Sequence, residues 1–318
     1  MREGMCGVEH RSNNSHERHE VLVGRLEERV QQIAVKLNEQ YAPMLACRKK
    51  PELVTPDGQL NMRAFMRAKF DGPYEKEERH GGENSIQFDE GMVRNHELSF
   101  SGALDARTQG RYGTKDPDAI VKAWKNESRG KDGPLAEKAM LHLFHKCFNG
   151  DFLVVRASMY DDYVNGTDML VVDMKTGHVL CTFDDVVGAE DYIRYKHKLE
   201  HQREQIARRD GAFVKYGLNV RVNDAGEKEL VRTKLSAVHG YTVRLDRQEL
   251  HDFLSACDMD SDDLAPAELQ MMERLLRDFA EQERVHTVDT SQESESRMTP
   301  LAEAFHALRT HSGQKSSR

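Results

Sequence analysis

Carboxylates crowd one stretch of this chain. Residues 159–168 read MYDDYVNGTD and put Asp161, Asp162 and Asp168 just ahead of the apolar run Met169-Leu170-Val171-Val172. A second apolar run, residues 178–183, leads straight into Asp184-Asp185. Between the runs, residues 173–177 (DMKTG) have the composition of a hairpin turn closed by glycine. If the runs pair across that turn, antiparallel register brings the start of the first beside the end of the second. Asp168 and Asp184 then share one end of the hairpin. Clustered carboxylates repel when empty, and a hard divalent ion relieves the repulsion through oxygen ligands. Such an ion can set a water against a phosphodiester and stabilise the leaving oxygen. The expected metal ligands are therefore Asp168 and Asp184, with Mg²⁺ or Mn²⁺ as the ion. A plainer reading uses the same residues: Asp, Asn and Gly are ordinary turn formers, and Asp184-Asp185 ahead of a helix can act as cap and dipole partners.

The elements around the hairpin follow from periodicity. Asp116 is a good N-cap with Pro117 at the first helical position, opening a helix with Ile120, Val121 and Trp124 on one side. After a glycine-containing linker at 129–134, the spacing predicts a helix over 135–148 with Leu135, Ala139, Leu143 and Phe144 on its apolar face and Glu137 off it. Strands are expected at 152–155, 169–172 and 178–183, a charged helix at 189–209, and strands at 212–222 and 230–245 with a break near His239-Gly240. Helices over 247–257 and 266–284 complete the ordered part. Upstream, Leu22, Leu26, Val30, Ile33, Leu37 and Tyr41 make one stripe of a helix over 19–45, expected to pack on the core rather than pair with another chain. Residues 1–18 are expected to be loose. Pro and Gly interrupt 49–115 so often that it reads as a loop-rich connector with one short helix at 62–70. Beyond His286 the chain reads as a tail with one weak helix at 301–308. The expected fold class is α/β (α+β), a small mixed sheet flanked by helices, with helical extensions at both ends. The expected divisions are 1–114, 115–258 and 259–318.

Over about residues 115–256 the chain resembles the PD-(D/E)XK nuclease superfamily. That family's core is a helix carrying a glutamate, then a strand hairpin with an Asp at the head of one strand and an Asp or Glu, followed two residues later by Lys, on the next. The resemblance implies a restriction-endonuclease-like core with Glu137 as the helix acid, Asp168 as the first strand acid and Asp184 as the second. The runs YDDYVNGTD (160–168), FDDV (183–186) and GAFVKYG (211–217) are also similar to a set of uncharacterised bacterial proteins regarded as nuclease-like. Val186 stands where the motif requires lysine. Three repairs are open. The cation comes from the following helix as Lys196 or Lys198; or the motif is Asp173-Met174-Lys175 with Asp162 or Asp168 as first acid; or the site is inactive. Asp162 is then an auxiliary acid or a turn cap. The resemblance implies Mg²⁺-dependent cleavage of DNA or RNA, with nucleic acid as partner. The alternative is a non-catalytic interaction module that keeps the fold and binds a protein partner, or itself, through its terminal helices.

Composition bounds these readings. Lys and Arg number 46 against 54 Asp and Glu, a formal net charge of -8, which argues against a passive nucleic-acid coat. Charged residues make up 31% and mean hydropathy is -0.73, so exposed helices beside a modest core are expected. Five scattered cysteines without a C-x-x-C pair read as reduced thiols in a cytoplasmic protein. No apolar run approaches the ~20 residues that cross a bilayer, and the first residues have no apolar signal core. His197-Lys198-Leu199-Glu200-His201 matches H-x-x-E-H, but its charge-saturated helix makes a solvated face the better reading than a zinc site. His142 and His145 read as surface or core-edge histidines. Gly110-Arg111-Tyr112-Gly113 lacks the spacing of a phosphate loop. Arg194, Lys196, Lys198, Arg203, Arg208, Arg209 and Lys215 form a candidate basic patch, diluted by neighbouring acids.

Overall fold

A computed structural model describes residues 6–45, 52–65, 86–148, 150–188, 192–207, 212–287 and 302–303. In chain order the first helices are α1 (Cys6–Tyr41), α2 (Ile86–Ser101), α3 (Ala106–Tyr112), α4 (Pro117–Ser128) and α5 (Asp132–Phe148). Strand β1 (Phe152–Arg156), the short helix α6 (Met159–Asn165) and strands β2 (Met169–Asp173) and β3 (Val179–Val187) follow. Then come α7 (Tyr192–Ala207), β4 (Ala212–Val222), β5 (Lys228–Val238), β6 (Gly240–Leu245), α8 (Arg247–Ala256) and α9 (Pro266–Thr287). The fold is mixed α+β.

Four strands form one sheet in the order β1-β2-β3-β6. β1, β2 and β3 are an antiparallel meander, and β6 joins parallel to β3. A parallel neighbour needs a long crossover, and here α7 and the separate β4–β5 hairpin occupy it. Strands β1 and β2 are buried on nearly every residue, because both faces of the sheet are covered. On one face, Val154, Met169, Val171, Phe183, Tyr241 and Val243 pack with α1, α5, α8 and α9. On the other, Leu153, Val155, Leu170 and Val172 pack with the end of α1 and with Val214, Tyr216 and Leu218 of β4. The stripe of α1 divides between the two cores, Leu26 and Val30 in the first, Ile33 and Leu37 in the second.

Helix α5 is buried almost all round from Leu135 to Phe148. It lies between α1 and the sheet, which leaves it little solvent-facing surface. Its Phe144 meets Phe183 of β3 with ring centroids 4.8 Å apart, and Phe183 meets Phe279 of α9 at 5.1 Å. Such aromatic pairs contribute about 0.5–1.5 kcal/mol beyond their burial. They fix β3 directly before Asp184.

Several expectations are corrected. Helix α1 already runs from Cys6, where loose chain was expected. The stretch expected to be a loop-rich connector holds α2 and α3. Their signal was weak because the buried face of α2 carries Asp89, Glu97 and Ser101 beside Ile86 and Val93. The acidic segment 159–165 is a helix rather than a turn. Ser158 caps it by accepting from the Asp161 amide at 3.1 Å, and Gly166 ends it in the left-handed region at φ 65°. Strand β3 continues to Val187, so Asp184 and Asp185 are strand residues and not helix caps. α5 begins at Asp132, inside the expected linker. The expected helix at 62–70 is a 3₁₀ turn over Met62–Phe65, its remainder lying outside the described residues. The weak helix at 301–308 lies almost wholly outside them too.

Candidate active site

The β2–β3 register settles how the hairpin acids stand. Met169 pairs with Phe183, so the next antiparallel position sets Asp168 opposite Asp184. The Asp168 amide donates to the Phe183 carbonyl at 2.9 Å, which holds that register past the end of β2. Directly opposed residues share a face, so both carboxyls lie on one side and hydrogen-bond to each other. Asp185 follows one residue on, its carboxylate close enough to Asp168 for their charges to repel. Its amide donates to Asp168 Oδ2 at 2.6 Å, and the carboxyl of Asp168 sits between its two neighbours. Both carboxylate oxygens of Asp185 are buried without a hydrogen-bond partner among the described residues.

Two more acids approach from helices. Glu137 of α5 pairs with the buried Arg156 at the end of β1, and Arg156 Nη1 also donates to the Asp57 carbonyl at 3.1 Å. Asp162 of α6 is brought in by the Ser158 cap and accepts from Gln59 Nε2 at 3.4 Å. Burial and mutual repulsion act together on this group. Burial and then Asp184 push Asp168 up to about 7, while Asp162 is pushed up to about 8 by burial, Glu137 and Asp168. Burial, then the charge of Asp168, raises Asp185 well above the carboxylate range, and burial raises Glu137 against the pull of Arg156. These four carboxyls therefore hold their protons more readily than solvated ones do.

The lysine question has a geometric answer. Lys198 of α7 donates to Asp184, whereas Lys196, about 200° round the helix from it, is exposed. Lys175 lies in the turn at the far end of the hairpin, 76% exposed and paired with Asp151. Asp173 there accepts from the Lys175 amide and the Thr176 hydroxyl, an ordinary turn arrangement. The structure thus gathers Glu137, Asp162, Asp168, Asp184 and Lys198, and leaves Lys196 and Lys175 apart.

Beside the acids lies a cavity of about 530 Å³. Glu137, Arg156 and Asp162 line it from the acid cluster's side, while Trp124, Lys125, Arg129 and Lys131 line it from α4 and the turn after it. Asp185 and Arg156 were not singled out in the sequence. Asp185 had a signal, since it directly follows Asp184 in the run FDDV. Arg156 had none, because FLVVR reads as a strand end whose arginine meets solvent.

Other sequence signals resolve differently. Asp161 is structural: its buried carboxylate accepts from the Lys215 and Tyr216 amides at 2.7 and 2.9 Å, from Asn165 Nδ2 at 2.7 Å and from Ser158 at 2.9 Å. It thereby ties α6 to β4. Lys215 cannot join a basic patch, being buried and bonded to Asp89 at 2.7 Å. Of the rest of that patch, the side chains of Arg194, Arg203, Arg208 and Arg209 lie outside the described residues. His197 and Glu200 are 74% and 64% exposed, consistent with a solvated face. The described cysteines Cys147, Cys181 and Cys257 are buried thiols.

His142 corrects the expectation of a surface histidine. It is fully buried and, with Cys257 and Glu268, forms a group close enough to surround an ion. The chemistry points elsewhere. His142 accepts from Arg29 Nε at 3.3 Å and meets Glu268 at 2.8 Å, while Lys146 donates to Glu268 at 2.6 Å. Burial, with Glu268, raises the Cys257 thiol to about 11. Two cations already serve this group.

Among the described residues, no helix is long and apolar enough to cross a membrane. Compared with known proteins, the chain matches no family model, no curated protein and no solved structure.

Proposed function

We propose that this protein cleaves phosphodiester bonds of DNA or RNA with a divalent cation, Mg²⁺ or Mn²⁺, as a divergent PD-(D/E)XK-type hydrolase. The observation that carries the reading is the carboxylate of Asp185, buried and unpartnered among the described residues, beside the opposed pair Asp168 and Asp184. Folding does not retain unanswered buried acids without cost, and an all-oxygen donor set of this charge suits a hard divalent ion. Asp168 and Asp184 would hold the ion, with Asp185 within reach. Bound there, such an ion supplies Lewis-acid stabilisation of the phosphoryl oxygens and a more acidic water. Lys198 takes the place of the lysine that Val186 displaces, orienting Asp184 and presenting positive charge to a phosphate. Glu137 and Asp162 face the adjoining cavity, where a carboxyl raised towards neutrality can donate a proton to a leaving oxygen. Arg156 holds Glu137 in place and offers a second cationic contact.

The test is incubation of purified protein with end-labelled DNA and RNA in Mg²⁺, in Mn²⁺ and in chelator. Metal-dependent cleavage that disappears in Asp168→Ala and Asp184→Ala is expected. Cleavage in chelator, or cleavage untouched by Asp168→Ala, overturns the assignment. A folded protein that neither cleaves nor is stabilised by Mg²⁺ supports the alternative, an interaction module.

A further inference from the structure

The cavity beside the acids has features that acid-metal chemistry does not require. Its lining holds five cations: Lys125 pairs with Glu97, Arg129 and Lys138 pair with Glu27, Arg156 pairs with Glu137, and Lys131 is exposed at the rim. It also holds Trp124 and Tyr163. Aromatic surface continues outward from Tyr163. Its ring meets Phe100 of α2 edge-on, with centroids 5.8 Å apart, and His96 lies 5.7 Å from Phe100. Phe100 is 57% exposed, an unusual position for a phenylalanine at the edge of a charged cleft. Helices α2, α4 and α6 therefore present aromatic rings interleaved with lysines and arginines, leading towards Glu137 and Asp162.

We propose that this track binds a single-stranded polynucleotide, with Trp124 and Phe100 as stacking platforms for unpaired bases and the lysines following the phosphates. The proposal rests on the phosphodiesterase reading and names its substrate class. Single strands fit these observations better than duplex. Exposed ring faces can take up only bases freed from a stack, and stacking combined with a positive groove is the common means of holding single strands. A cavity of about 530 Å³ has the capacity for one nucleotide, whereas a duplex about 20 Å wide stays outside it. A phosphate would be seated by the exposed Lys131, and by Lys125 and Arg129, themselves exposed, exchanging their carboxylate partners for it.

The experiment uses the full chain in chelator, so that binding is read without cleavage. Fluorescein-labelled dT12, rU12 and a 12-base-pair duplex are titrated by anisotropy. Emission from Trp124, the chain's single tryptophan, is followed in parallel with unlabelled strands. Single strands should bind at least about tenfold more tightly than duplex and quench Trp124. Phe100→Ala, at an exposed position, and Trp124→Ala should each weaken binding between about fivefold and a hundredfold, leaving the salt dependence unchanged. Lys131→Gln should instead lower the salt slope by about one. Equal affinity for duplex, wild-type affinity in Phe100→Ala, or no strand binding overturns the track. Strand binding without Mg²⁺-dependent cleavage overturns the hydrolase reading and leaves the track standing. Cleavage with unaltered binding by Phe100→Ala does the reverse.

Discussion

Two buried carboxylate systems flank the same helix, and they are built on opposite plans. Glu268, at the start of α9, has its charge answered on every side. His142 and Lys146 of α5 meet its two oxygens at 2.8 and 2.6 Å, and the Ala265 amide donates at 2.6 Å. Burial opposes ionisation there, yet the hydrogen bonds from His142 and Lys146 outweigh it and hold Glu268 below its ordinary range. Asp185 has no hydrogen bond to its carboxylate from the described residues, and burial together with Asp168 drives it far upward. Burial opposes ionisation at both sites, and the hydrogen-bond partners decide which way each titrates. The Glu268 system locks α9 to α5. Among the described residues the pull of Lys198 does not offset burial and the neighbouring acids at Asp185.

The largest effect should come from the satisfied system. Glu268→Ala strands Lys146 in the core, and urea denaturation should show a loss of about 3–5 kcal/mol. A loss below about 1 kcal/mol would erase the contrast between the two systems. Next, Asp168→Ala should lower metal-dependent cleavage by about a hundredfold or more, near 2.7 kcal/mol of transition-state stabilisation, in single-turnover assays.

Removing an unanswered charge should act in the opposite direction. Asp185→Asn is expected to stabilise the metal-free protein by about 1–2 kcal/mol while reducing its stabilisation by Mg²⁺, read as paired thermal shifts. pH should separate the systems again. Asp168 and Asp162, raised to about 7 and about 8, keep protons in the fold that the unfolded chain has already released. Stability of the metal-free protein should therefore fall as pH rises from about 4 to 8, and saturating Mg²⁺ should flatten that slope. Glu268, shifted downward, contributes the opposite sign: its stabilisation is present above its unfolded pKa and lost on further acidification. Urea midpoints across this range, for wild type and Glu268→Gln, resolve the two contributions. The smallest effect belongs to the surface. Arg25 and Asp260 are 44% and 83% exposed, so Asp260→Asn should change stability by less than about 0.5 kcal/mol.

Much of the sheet was legible in the residues. The runs FLVV and MLVV could hardly be anything but buried strands, and the Asp173–Gly177 turn brings Asp168 and Asp184 to one end of the hairpin. Their direct opposition also needs the register shift between Val171 and Val172, which no residue pattern announced. Lys198 was one of two candidates because both lie in a helix whose start and length were readable, while its rotation was not. The His142–Lys146–Glu268 lock was invisible, since Glu268 lies more than 120 residues from His142 and Lys146 and polar residues are read as surface. Helices α2 and α3 were missed for a related reason. Asp89 belongs inside only because Lys215 and Tyr216 bond to it at 2.7 and 2.6 Å, and both lie on β4.

Sequence alone determined what local periodicity and turn chemistry can determine: the strands, most helices and the placement of the two hairpin acids at one end of the hairpin. These depend on neighbours within a few residues, or on one tight turn. Only the tertiary structure decided which buried charges are answered. That outcome depends on side chains brought together from distant segments in a medium of low polarity, where a partner a few ångströms away outweighs any local preference.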